Sequence, residues 1–219
     1  MEKVAVICSA NSKLPHERQG ATQTNTFEAT KRYKRYKPYL FSSAFAGRPD
    51  EEILEGVHIK RIRSNIIDRT LFAITHFKNP DHHYVHRVAE EIKKLKIKIV
   101  HVRNRPLYMP YLRELLEGGV KLILHEHNQN IADTLSEKTA LSILNSIDAY
   151  IGVSKFTMDH EIVHKYPQFS NKSYYILNGV DIEKFRPAWE KKEEALALRK
   201  KYDLQNSKVI LFVDRKSVV

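Results

Sequence analysis

Side chains that can hydrogen-bond hydroxyl groups or neutralise an anion follow one apolar segment after another in this sequence. His125, His127 and Asn128 come directly after one apolar run, and Asn104 and Arg105 come after another. Imidazole, amide and guanidinium groups bind hydroxyls and phosphates, and an imidazole can also accept a proton near neutral pH. The remaining candidates of this kind are Gly20, Ser154, Asn178 and Gly179. This set predicts a site for a phosphorylated or hydroxyl-rich ligand.

Apolar runs typical of strands alternate with segments typical of amphipathic helices along the whole sequence. The expected strands are 4–8, 39–45, 57–62, 98–102, 120–124, 149–153, 174–177 and 208–213. The expected helices are 21–37, 85–95, 107–116, 131–144, 156–165 and 190–202. This alternation predicts an α/β fold of Rossmann-like type, a mostly parallel sheet with helices on both faces. Parallel strands end at one edge, where open sheets bind ligands, so the polar residues should share that edge.

Two of the candidate residues precede expected helices. Gly20 would let the backbone approach a ligand closely, and the helix start presents N–H groups and the positive end of a dipole. Ser154 is a suitable N-cap whatever the function. Each residue has a structural explanation by itself, and it is their common edge that indicates a site.

Several classes of site are excluded or disfavoured by missing motifs. No G-x-G-x-x-G follows the first strand and no P-loop is present, which argues against nicotinamide and flavin enzymes and ATPases. No G-x-S-x-G motif is present, and Cys8 is expected to be a small buried residue rather than a nucleophile. His125 and His127 are two residues apart, but no third ligand with typical spacing follows, so no metal is expected.

The chain has 219 residues and a formal net charge of +11. What we call the basic cluster consists of Lys31, Arg32, Lys34, Arg35 and Lys37. Tyr33 and Tyr36 lie three apart within it, which favours a solvated face at the end of the helix 21–37. The alternative is peripheral contact with an anionic membrane. Nucleic-acid binding is not expected, because no recognised motif accompanies the charge.

The single cysteine and the lack of long apolar runs indicate a location. One cysteine cannot form an internal disulfide, which fits a reducing compartment. No apolar run has the length of a membrane span, and the N-terminus has too short an apolar core for a signal peptide. We therefore expect a cytoplasmic protein.

The order of motifs in the last third of the chain is distinctive. A strand ends in Val153-Ser154-Lys155, the next ends in Asn178-Gly179-Val180-Asp181, and Phe185-Arg186-Pro187 follows. This passage closely resembles glycosyltransferase family 4. Leu14-Pro15, Ala21-Thr22-Gln23-Thr24 and His101-Val102-x-Asn104-Arg105-Pro106 are similar to the bacterial spore-coat polysaccharide glycosyltransferases within it.

The resemblance implies a GT-B fold, in which two Rossmann-like domains face each other. It implies transfer of a hexose with retention of anomeric configuration, without a metal or cofactor, from a nucleotide sugar expected to be UDP-linked. The donor would be held mainly by the C-terminal domain and the acceptor by the N-terminal one. The acceptor would be a polysaccharide of the cell surface or spore coat, so the protein could associate peripherally with the membrane or spore coat.

Two site residues are assigned by matching the family's motifs. His127 matches the catalytic histidine beside the transferred sugar, and His125 is its rival one strand step away. Gly20 matches the second glycine of a loop near the donor phosphates, and Gln19 replaces the first. Asn104 and its neighbours on the same edge are expected to bind substrate or acceptor; the neighbours are Arg105, Asn128 and Ser154.

Three further matches concern the junction with a second domain. Asn178 and Gly179 match the interdomain segment, and Arg215 matches an arginine that meets the donor diphosphate. Asp214 replaces the glycine expected before Arg215, and a carboxylate beside a diphosphate is electrostatically unfavourable.

The expected organisation is a Rossmann-like acceptor-side domain at 1–187, a connecting helix at 188–207 and the start of a donor domain at 208–219. The family's later lysine and its paired glutamates are absent from this sequence, so the chain is expected to be incomplete and inactive alone. The competing interpretation is a non-catalytic module that binds a glycan or an anionic membrane.

Overall fold

The computed structural model describes residues 1–14, 20–76, 81–116, 118–128, 131–187 and 189–210. Gln19 and Arg215, both predicted site residues, lie outside these ranges. The chain divides into two compact units, Met1–Asn178 and Gly179–Val219. The predicted boundaries at 187 and 207 remain predictions.

The first unit is built on an eight-stranded sheet of order β3-β4-β2-β1-β5-β6-β7-β8. The strands are β1 Glu2–Ile7, β2 Tyr36–Ser43, β3 Glu51–Leu54, β4 Val57–Ile62, β5 Ile99–Arg103, β6 Lys121–Glu126, β7 Ala149–Gly152 and β8 Ser173–Tyr175. Only the β3–β4 pair is antiparallel among these strands. The predicted mostly parallel α/β sheet is therefore confirmed.

Except for the last, the α-helices lie between the strands in sequence. They are α1 Ala21–Thr30, α2 Ile66–His76, α3 His82–Leu95, α4 Met109–Leu116, α5 Ile131–Thr134, α6 Glu137–Ser146, α7 Lys155–Met158 and α8 Lys192–Lys201. Two 3₁₀ segments, Pro106–Tyr108 and Pro167–Lys172, and a π-helix, Asp159–Val163, complete the list. Helix α8 belongs to the second unit. No helix of the described residues has the length and apolar character needed to cross a bilayer.

The side chains of β1 show that the sheet is covered on both faces. Ala5 and Ile7 belong to the larger apolar cluster, whereas Val6 and Cys8 belong to the smaller one. Successive side chains of a strand point to opposite faces, so a strand that is apolar throughout must lie between two layers. Phe27 of α1 covers one face, and residues of α3, α4 and α6 cover the other.

The predicted helix 21–37 was wrong in its second half. Helix α1 ends at Thr30, and β2 begins at Tyr36. Pro38 opposes helical geometry in the residue before it, and the apolar segment after it pairs with β1. The basic cluster is therefore a turn and a strand start rather than a helix face, and it lies at the amino-terminal edge of β2.

Other element boundaries also differ from expectation. The predicted helix 131–144 is interrupted before Ser136, whose side chain accepts a hydrogen bond from the Thr139 N–H at 3.3 Å and starts α6. Strand β8 begins and ends earlier than predicted, and β3 and α2 were not predicted. Of the predicted strand 208–213, the described residues 208–210 are not in a strand.

Candidate functional site

Parallel topology places the predicted site residues at one edge of the sheet. Asn104 follows β5, His127 follows β6, Ser154 follows β7 and Asn178 lies just after β8. Gly20 precedes α1, the helix that follows β1. The carboxyl edge of the sheet, as we call this region, is the position at which open parallel sheets form ligand crevices.

Asn104 joins the ends of two neighbouring strands. Its N–H donates to the His125 carbonyl at 2.8 Å, and its Oδ1 accepts from the His127 N–H at 3.1 Å. The backbone of Asn104 has a φ of 55°, a left-handed value that asparagine tolerates better than most residues. Asn104 therefore fixes the backbone position of His127, the predicted catalytic residue.

Replacing Asn104 with alanine should lower the free energy of unfolding by about 2 kcal/mol. About half of this would come from the left-handed φ and the rest from the hydrogen bond to the His127 N–H. Asn104→Gly is the matched variant, because glycine accepts the φ but cannot form that bond. In chemical denaturation the wild type should be the most stable, the glycine variant intermediate and the alanine variant the least stable. An alanine variant as stable as the wild type would contradict this role of Asn104.

Three histidine rings form a stack beneath this edge. The rings of His101 and His125 lie 5.3 Å apart at 5°, and those of His125 and His127 lie 4.9 Å apart at 15°. His125 and His127 thus share one side of the chain, as their two-residue spacing predicted. We call these three residues the histidine stack.

The hydrogen bonds of Arg103 define the protonation of this stack. Arg103 Nη1 lies 2.9 Å from His125 Nδ1, and a guanidinium can only donate, so His125 Nδ1 must accept. The proton of neutral His125 is therefore on Nε2. His101 Nε2 lies 3.2 Å from the same His125 Nδ1, and His101 Nδ1 lies 3.1 Å from the Tyr33 hydroxyl oxygen. Tyr33, His101, His125 and Arg103 thus form a continuous series of polar contacts.

The pKa values of the stack lie far below that of free histidine. Burial, with the charge of Arg103 as the second cause, lowers the pKa of His101 to about 3, that of His125 to about 2 and that of His127 to about 4. All three rings are therefore neutral at neutral pH. His127 can orient or accept a hydrogen bond there, but it does not act as a cation.

Arg103 also connects the histidine stack to the end of β8. Its Nη2 donates to Asn25 Oδ1, and Asn25 Nδ2 donates to Asn178 Oδ1 at 3.2 Å. Sequence reasoning missed Arg103, Asn25, His101 and Tyr33. Polar residues at alternate positions of the otherwise apolar β5, His101 and Arg103, were the available signal, because alternation places both on one face.

Two pockets open at the carboxyl edge on either side of Asn104 and Arg105. One, of about 100 Å³, is lined by Cys8, Ser9, Ser12, Thr22, Gln23, Thr26, Arg103, Asn104 and Arg105. The other, of about 300 Å³, is lined by Asp81, His82, Asn104, Arg105, Pro106, Leu107, Tyr108, Thr134 and Leu135. Arg105 is exposed and donates to the Asn104 carbonyl at 3.1 Å, so its guanidinium lies where either pocket could hold an anion.

The other predicted residues have simpler environments. Ser154 caps α7 by accepting from the Thr157 N–H at 3.0 Å, which gives it a structural role. Gly20 is the N-cap of α1 and Asn128 is exposed. Gly179 is exposed and belongs to the second unit.

Cys8 lies in the smaller pocket but is chemically inert. Burial raises the pKa of its thiol to about 12, so almost no thiolate exists at neutral pH. It packs in the smaller apolar cluster, as expected for a small buried residue.

Relatives of known name match nearly the whole chain. The chain is 27% identical over 219 residues to YtcC of Bacillus subtilis (strain 168), whose name describes a glycosyltransferase, covering 98% of this chain and 49% of that protein. It is 28% identical over 222 residues to spore coat protein SA of the same organism, covering 99% of this chain and 54% of that protein. The chain thus spans about half the length of the curated relatives it matches.

The fold matches half of a larger solved structure. The structure of Anabaena Alr3699/HepE in complex with UDP aligns with a TM-score of 0.59 and 12% identity, covering 94% of this chain and 51% of that one. At this identity the likeness establishes the fold, which is the Rossmann-like half of a GT-B architecture. The family model described as Glycosyltransferase Family 4 matches residues 28–184. The chain belongs to glycosyltransferase family 4.

Proposed function

We propose that this chain is the acceptor-side domain of a retaining glycosyltransferase that moves a hexose from a nucleotide sugar to a polysaccharide acceptor. Its family membership and the two similar proteins of Bacillus subtilis support a transferase, one of them a spore coat protein. The observation that carries the proposal is the site itself. Asn104 and the histidine stack hold His127 at the carboxyl edge, beside two polar pockets.

The residues of the edge suit positioning better than acid–base catalysis. A His127 pKa of about 4 keeps its ring neutral, so it would orient a sugar hydroxyl through a hydrogen bond. Arg105, exposed between the two pockets, would pair with an anionic group of the bound substrates. Rate enhancement would come from alignment and from stabilising charge on the leaving diphosphate.

The donor would be a UDP-linked sugar held mainly by a second domain. The UDP in the Anabaena structure of the same fold supports a nucleotide ligand, and the relatives are about twice as long as this chain. In this proposal residues 1–187 form the acceptor domain, 188–207 the connection and 208–219 the start of a donor domain, where Arg215 would meet the diphosphate. The protein would act in the cytoplasm, at the membrane or the spore coat.

The purified chain should bind glycan but should not turn over a UDP-sugar. Saturation-transfer NMR with polysaccharide fragments should show binding that His127→Ala weakens by about tenfold, the usual effect of losing a good hydrogen bond to a bound ligand. His164→Ala is the matched control, because His164 is an exposed histidine in the segment that leads to the start of β8. Turnover of a UDP-sugar by the chain alone would contradict the proposal that a second domain is needed to bind the donor.

Membrane contact through the basic cluster remains a secondary part of the proposal. Lys31 pairs with Glu28 and Glu55 at 2.9 Å each, and Arg32 pairs with Glu28 at 2.5 Å. These pairs lower the charge available to lipid, and the cluster lies at the opposite edge of the sheet from His127. Co-sedimentation with phosphatidylglycerol vesicles that is lost in high salt and in a Lys34→Gln, Arg35→Gln variant would favour the binding module instead.

A further inference from the structure

Three side chains capable of binding a metal meet between α5 and the π-helix. They are Asp133 of α5 and His160 and Glu161 of Asp159–Val163, and their ligand atoms lie within 4.8 Å of one another. His160 Nε2 is 2.9 Å from Asp133 Oδ1. No sequence pattern indicated this cluster, because Asp133 and His160 are 27 positions apart.

Among the three residues, Glu161 has a buried carboxylate oxygen that lacks a hydrogen-bond partner in the described part of the chain. Its side chain is fully buried, and its Oε2 accepts from the N–H groups of Ile131 at 2.6 Å and Ala132 at 3.0 Å. Its Oε1 is buried as well, and no residue of the described chain donates to it. Nor does Glu161 form an ion pair with a lysine or arginine of the described residues. A buried carboxylate oxygen without a donor is costly, and a bound cation would satisfy it.

The local backbone brings these ligands together. Glu161 caps the start of α5 at Ile131, while the neighbouring His160 reaches Asp133, two residues further along the same short helix. Both side chains therefore face α5 from a π-helical turn, a distortion that is rare and often found at functional sites. Phe156 stacks on the His160 ring at 5.8 Å and restricts its orientation.

We propose that Asp133, His160 and Glu161 bind a first-row divalent cation of the Zn²⁺ type. One imidazole nitrogen and two carboxylate oxygens are ligands that Zn²⁺ accepts, and three protein ligands leave a position for water. Because α5 begins shortly after Asn128 and the π-helix follows Ser154 and α7, the ion would fasten two loops of the carboxyl edge to each other. Its role is structural, and it takes no part in the transfer step proposed above.

Metal binding by the full chain tests the proposal. After dialysis against EDTA, one equivalent of Zn²⁺ should raise the unfolding temperature, since a ligand that binds only the folded state stabilises it. Co²⁺ should bind at the same stoichiometry and produce a visible absorption band. His160→Ala and Asp133→Asn should each weaken Co²⁺ binding by at least about tenfold, because each removes or weakens a direct ligand.

His164→Ala is the control, since it removes an exposed histidine a few residues from the cluster. It should leave the Co²⁺ band and the stoichiometry unchanged. Circular dichroism checks that every variant is folded, and Asp133→Asn, a nearly isosteric change at a half-exposed side chain, should fold even if His160→Ala does not. Absence of a one-equivalent band in the wild-type chain, or a band equally strong in both cluster variants, would overturn the proposal.

Discussion

Lowering the pH from about 7 to about 5 should destabilise this domain by several kcal/mol, with about 2 kcal/mol from each ring of the histidine stack. The folded pKa values of His101, His125 and His127 are about 3, 2 and 4, below the ordinary value of 6.5. Below about pH 6.5 these three histidines therefore bind protons in the unfolded chain but not in the folded chain. Stability is full above that pH and is lost as the pH falls toward the folded pKa values.

The test is urea denaturation at a series of pH values in constant salt. His127→Gln should reduce the pH dependence by roughly one third, because it removes one of three similar contributions. The stack would not be neutral in the folded state if the wild-type domain were equally stable at both pH values.

Replacing Gly152 with alanine should lower the free energy of unfolding by about 2–3 kcal/mol. A Cβ at this position would lie 2.9 Å from the backbone nitrogen of Met158 and 3.2 Å from its Cα. These are backbone atoms of the segment that leaves β7, so the clash cannot be relieved by turning a side chain. The strand or α7 would have to shift, and Ser154 with it.

Gly118→Ala provides the matched comparison, because a Cβ there meets nothing within 4 Å and its φ is not in the left-handed region. Its stability should lie within about 0.5 kcal/mol of wild type, as for most surface substitutions. Equal stability of the two alanine variants, measured by chemical denaturation, would show that the close approach of α7 to β7 is not required.

The sheet was predictable because most of its strands coincide with apolar runs in the sequence. β1 is apolar on both faces, and the polar residues after β5 and β6 mark where those strands end. The ends of helices were less predictable where the local sequence was compatible with both a helix and a strand. The basic segment after Thr30 could extend a helix; Pro38 opposes this locally, and the long-range pairing of β2 with β1 places the segment at the start of a strand.

The residues of the site were predictable by position but not by their connections. His127 and Asn104 could be assigned to one edge from the strand order, whereas their hydrogen bond depends on a left-handed φ that no pattern indicates. The alternation of His101 and Arg103 in β5 indicated a polar face, but it did not indicate which residues Arg103 would contact. Its partners, His125 and Asn25, are brought to it by tertiary structure.

Mapping of amide chemical shifts during titration with a polysaccharide fragment tests the central claim most directly. The largest changes should fall on Gly20, Asn104, His127, Ser154 and Asn178, whose amides lie at the carboxyl edge. Changes concentrated instead at Gly119 and Ile147, which precede β6 and β7 at the opposite edge, would contradict the assignment of the site.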